Sequence, residues 1–193
     1  MRTHLRSDAR GFTLVDIVAT IAVLGVLLAV AVPSLIAGME GLRLGQATRE
    51  VEREIHMAKS RAVSKGRAIR IRFNCPGARE YRITEIIGTV SLPAAADSAP
   101  NRCDPMAYPF PPADYEPLTL PNLDGPVRRL PDEISFTAPQ TIEFWPNGTA
   151  HYEAGAAVPW PLIPVAGIPI AITREDKTAT IRVNGLGKIN IEQ

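Results

Sequence analysis

Arg10-Gly11-Phe12-Thr13-Leu14-Val15-Asp16 opens the stretch that decides the fold. From residue 12 to residue 42 there is no lysine or arginine, and the acidic residues are Asp16 and Glu40 alone. Residues 17–37 are almost wholly apolar, long enough to cross the hydrocarbon core of a bilayer as a helix. Arg2, Arg6 and Arg10 precede this run against a single acid, Asp8. That asymmetry orients the segment with its N-terminus in the cytoplasm and the remainder exported. A carboxylate inside such a segment, here Asp16, is costly unless it is paired, and therefore marks a functional position.

Three readings of the segment compete. It could be an uncut signal anchor. It could be a secretory signal peptide, for which Ala29-Val30-Ala31 supplies a small-x-small cleavage pattern. In the third reading the cut falls before the apolar run, between Gly11 and Phe12, and the helix stays in the product. The residues favour the third. A short basic leader, Gly-Phe and an acid at the fifth position after the cut together resemble the prepilin peptidase site. Pro33 falls at position 22 counted from Phe12, where many pilins carry a helix-kinking proline. The family usually has Glu where this chain has Asp16, which keeps the charge but shortens the reach by one methylene.

The amphipathic continuation follows at once. Leu44, Ala47, Val51, Ile55, Ala58 and Ala62 recur at helical period, and Arg43, Arg49, Glu50, Arg53 and Lys59 are expected on the solvated face, with a Glu50–Arg53 pair one turn apart. Gly38, Gly41 and Gly45 predict a flexible or locally unwound junction, and Gly66 a helix end. In residues 67–73, Ile69, Ile71 and Phe73 alternate with Arg70 and Arg72, the pattern of a half-buried strand. Residues 80–86 continue it, with Tyr81 and Ile83 inward and Arg82 and Thr84 outward. Nine prolines between Pro93 and Pro126 exclude ladder strands and helix interiors there, so the stretch reads as an exposed loop insertion. Strand patterns resume at 134–136, 142–145, 150–152, 167–173, 179–183 and 188–191. The expected class is α+β: a long N-terminal helix packed on an antiparallel sheet. The expected segments are a leader over 1–11, a membrane helix over 12–37, an amphipathic helix over 38–66, and a β-rich body over 67–193 with its insertion at about 93–126.

The body extends the resemblance. Phe144-Trp145-Pro146-Asn147-Gly148 and Ile181-Arg182-Val183-Asn184-Gly185-Leu186-Gly187-Lys188-Ile189 look like the minor pseudopilins called GspH or FimT, as does Ala58-Lys59-Ser60-Arg61-Ala62-Val63. The resemblance implies a low-copy subunit of a type II secretion pseudopilus or a type IV pilus. Its partners would be other minor and major pilins, the prepilin peptidase, which cuts after Gly11 and methylates the Phe12 amine, and an inner-membrane assembly platform. It also implies that Asp16 pairs with the N-terminal amine of a neighbouring subunit. The body would then lie in the periplasm of a bacterium, held by one span of the inner membrane.

Composition narrows the alternatives. Lysine and arginine number 21 against 20 acids, and the leader carries a net +2 of the whole-chain +1, leaving −1 for the rest. That is no general attractant for nucleic acid. A DNA-binding minor pilin acting in uptake remains the alternative function, and it would need Arg70, Arg72, Arg182 and Lys188 to cluster. Three isolated histidines and the lack of phosphate-loop or nucleophile-elbow spacing give no catalytic or metal-ligating set, so neither an enzyme nor a cofactor is expected. Cys75 and Cys103 allow one bridge, which an exported body would retain; two unpaired thiols are the other option. Such a bridge would contribute roughly 3 kcal/mol by restricting the unfolded chain.

Overall fold

The computed structural model describes residues 13–110 and 124–192, with residues 33–40 described by backbone alone. The chain divides between Leu42 and Arg43 into two units. Helix α1, Leu14–Lys65, contributes to both. Its backbone is helical through Pro33, Gly38, Gly41 and Gly45, so the expected unwinding at the glycines does not occur. Each glycine costs about 1 kcal/mol relative to alanine, too little to break a helix of 52 residues by itself. The helix stops at Gly66, whose φ of +66° is the left-handed conformation that ends a helix without a Cβ penalty.

In the first unit the window 14–32 is apolar and entirely uncovered, with a mean hydropathy of 2.7. In the second unit the stripe predicted by spacing is the buried one. Leu44, Ala47, Val51, Ile55, Ala58 and Ala62 are all 6% exposed or less and join one apolar core with both sheets. The chain is α+β, as its patterning implies, but the strands form two antiparallel sheets where one was expected.

The first sheet contains β1 (Ile69–Phe73), β2 (Glu80–Glu85), β3 (Arg128–Arg129), β5 (Ile142–Phe144) and β6 (Ala150–Tyr152), in the order β3-β2-β1-β5-β6. The second contains β4 (Ser135–Thr137), β7 (Ile168–Arg174), β8 (Lys177–Val183) and β9 (Ile189–Glu192), in the order β4-β7-β8-β9. The split follows from the pairing: β4 crosses to β7, opposing Phe136 to Ile172, while β5 returns to β1, opposing Ile142 to Ile71. Phe73, Tyr81 and Phe136 meet in the core, the last two edge to face at 5.7 Å between centroids.

The outer face of the first sheet departs most from expectation. Alternation puts Arg70, Arg82 and Thr84 on the solvent side, yet all three are buried. The reason is the proline-rich insertion. Residues 93–110, with a 3-10 turn at Ala95–Ser98, fold back as a lobe over that face, and Asp124 and Gly125 close beside it. The sheet thus has an apolar side toward α1 and a charged side under the lobe.

Candidate functional site

Two regions carry the residues that the sequence singles out. At the start of α1, the Thr13 amide donates to Asp16 Oδ2 at 3.1 Å and the Asp16 amide donates to Thr13 Oγ1 at 3.3 Å. The Thr13 hydroxyl adds a second bond to Oδ2 at 2.7 Å. This reciprocal arrangement is a capping box in which Asp takes the place of the usual Glu or Gln at the third helical position. The shorter side chain suits it, because the donors that its carboxylate meets, the Thr13 amide and hydroxyl, lie only three residues back. The acid is also stabilised by the positive end of the helix dipole. Gly11 and Phe12, the expected processing site, lie outside the described residues. Pro33 is placed by its backbone, within α1.

The second region is the charged layer under the lobe. Arg70 Nε meets Glu143 Oε2 at 2.7 Å, its Nη1 donates to the Asp97 carbonyl at 2.8 Å, and its guanidinium lies 4.0 Å from the centre of the Trp160 ring. Glu143 also accepts from Trp145 Nε1 at 2.6 Å. Arg72 donates to the same Asp97 carbonyl. Arg82 is fully buried and donates to the carbonyls of Gly125 (2.8 Å), Cys103 (3.3 Å) and Tyr108 (2.6 Å). Cys75 and Cys103 are joined with a Cα–Cα distance of 5.5 Å, tying the lobe to the end of β1. Arg102 and Asp124 complete the layer as a buried pair.

The four cations named for polyanion binding are not brought together. Arg70 and Arg72 sit under the lobe on the first sheet. Arg182 lies on β8 of the second, where Glu192 holds it through Nε at 2.6 Å and Nη2 at 2.9 Å. Lys188 is exposed in the closing turn. That turn is fastened to the helix by Lys59, whose Nζ donates to the Gly187 carbonyl at 2.8 Å, so this lysine is not the solvated charge expected. Gly187 has φ +68°, and a Cβ there would lie 2.5 Å from the Gly148 carbonyl. The Glu50–Arg53 pair does not form among the described residues; buried Glu54 pairs with Arg128 instead, at 3.0 Å. His151 is buried, stacked 3.6 Å from Trp145, with Nδ1 donating to the Trp160 carbonyl at 2.8 Å.

Sequence reasoning missed Asp97, Arg102, Asp124 and Trp160 altogether. One signal was available: Arg102 adjoins Cys103, and a bridge at Cys103 would place its neighbour against β1. No group of three or more His, Cys, Asp and Glu able to hold a metal occurs among the described residues.

No family model and no curated protein matches the chain. Two crystal structures of the type IV minor pilin FimU from Pseudomonas aeruginosa strain PAO1 are similar to it. One is 17% identical with a TM-score of 0.45, covering 80% of this chain and 91% of that chain. The other is 16% identical with a TM-score of 0.42, covering 77% and 92%.

Proposed function

We propose that this protein is a minor pilin, a structural subunit that enters a filament through its N-terminal helix. The observation that carries the reading is the uncovered apolar helix with one carboxylate in its first turn, behind a basic leader and a Gly11-Phe12 junction. An uncovered helix of that hydropathy requires lipid or neighbouring helices as its surroundings. In the membrane it holds the subunit, and in the filament other subunits' helices replace the lipid. Cleavage after Gly11 and methylation of the Phe12 amine place a new positive charge four residues before Asp16. Asp16 then has an intramolecular cap and, across the helix pair, a neighbour's amine to meet. The body supplies contacts to other subunits. The machine is a type IV pilus or a type II secretion pseudopilus, built from major and minor pilins on an inner-membrane platform.

Intact mass of the protein purified from its native membrane tests this directly. The expected mass is that of a chain starting at N-methylated Phe12. A chain starting at Val32 would mean signal peptidase cleavage and a soluble product, and would remove the filament role.

A further inference from the structure

None of the residues of the lobe, 93–110, joins the main apolar cluster, and its one buried apolar residue is the bridged Cys103. Beneath it lie arginines instead. Arg70 has Glu143 as a counter-ion, but neither Arg72 nor Arg82 has a carboxylate within 4.0 Å among the described residues. The lobe meets them with backbone carbonyls, from Asp97 on Arg72 and from Cys103 and Tyr108 on Arg82. Its own carboxylates are turned elsewhere. Asp97 accepts from the amides of Ile87, Gly88 and Ala94, and Asp104 accepts from that of Met106. Arg72 Nε is buried with no hydrogen-bond partner. Burial pulls both guanidiniums below their ordinary range, the mark of cations lacking full compensation.

Neutral carbonyls are poorer partners for guanidinium than an oxyanion, which adds charge to the bond and fits the fork in pairs. The lobe therefore occupies donors suited to phosphate-like oxygens. Opening it would return charged groups to water and would not expose apolar core, so the desolvation penalty of the layer is recovered on opening. The covalent restraint on the lobe is Cys75–Cys103. We propose that the lobe is a disulfide-secured cover over a latent oxyanion site formed by Arg70, Arg72 and Arg82, opened when the bridge is reduced. The step balances with a dithiol reductant. One of its thiolates attacks the bridge, the Cys75–Cys103 bond breaks, and two electrons pass to the cysteines. The reductant closes to its own disulfide, and its two protons end on the cysteine sulfurs. The site is independent of the filament reading, since it involves no residue of the N-terminal unit.

The test uses the full chain in an uncharged detergent, oxidised or treated with dithiothreitol, with sodium tripolyphosphate as the probe in calorimetry. Limited proteolysis between residues 98 and 110 reads lobe opening in parallel, and circular dichroism verifies that the body stays folded. The oxidised chain is expected to resist cleavage and bind no tripolyphosphate. The reduced chain, and Cys103→Ser without reductant, are expected to be cleaved in the lobe and to bind, with affinity lost as salt rises. Arg72→Gln should weaken that binding about tenfold, the loss of one charge-assisted contact. Equal binding by oxidised and reduced chains overturns the proposal. So does a lobe that stays protected after reduction, or one that opens without binding.

Discussion

Arg102 and Asp124 form a bidentate ion pair, at 2.5 and 3.0 Å, with both side chains almost fully buried. Both lie within the proline-rich stretch, 22 positions apart, and join its lobe to its closing segment. Arg102 also donates to the Glu85 carbonyl at 2.9 Å, and Asp124 accepts from the Glu85 amide at 2.9 Å. The pair thus fixes the insertion to the last residue of β2.

Removing one partner should cost far more than removing both. Arg102→Met leaves a buried carboxylate without its cation and is expected to destabilise the body by about 3–5 kcal/mol. The double variant Arg102→Met/Asp124→Leu should recover most of that loss. Denaturant unfolding of the three proteins measures the difference, and equal losses in single and double variants would contradict the pairing.

Stability should rise on mild acidification. Burial pushes the Asp124 carboxyl up to about 6 against the pull of Arg102, and pushes Glu85 up as well. A carboxyl raised above its unfolded value near 3.9 binds more protons folded than unfolded, so stability falls as pH rises through that window. Between pH 7 and pH 5 the body should gain on the order of 1 kcal/mol. Glu192, held below its usual range by Arg182, acts in the opposite sense but only at lower pH. Melting temperatures at pH 5 and pH 7 check the sign, and Asp124→Asn should flatten the slope.

Asp16→Ala should leave processing intact and abolish incorporation into filaments, whereas Thr13→Ala should weaken the helix start by about 1 kcal/mol and reduce incorporation only partly. Quantifying each variant in sheared filaments separates the two roles. Normal incorporation of the Asp16 variant would refute its assembly role.

Ile55 is fully buried in the stripe that α1 presents to the sheets. Ile55→Ala should destabilise the body by about 2–5 kcal/mol through lost burial and a residual cavity. The same change at exposed Val63 should cost less than about 0.5 kcal/mol. Unfolding curves of the two variants give the comparison.

Local patterning sufficed for the long helix, the face it buries and most of the strands. Each of those depends on residues only two to four apart, where period and polarity speak directly. The apolar N-terminal run was legible for the same reason, whereas the cap that Thr13 and Asp16 form emerged only from their hydrogen bonds. The division into two sheets was not, because β4 and β7 are distant in sequence and nothing local distinguishes β4 from β5. The charged layer was least legible. Alternation places Arg70 and Arg82 on one side of a strand but cannot say whether that side meets water. Only the folding back of residues 93–110, some twenty to thirty positions downstream, turned a solvent face into an interior. Burial then made carbonyl acceptors and ion pairs obligatory for side chains that the sequence alone would leave hydrated.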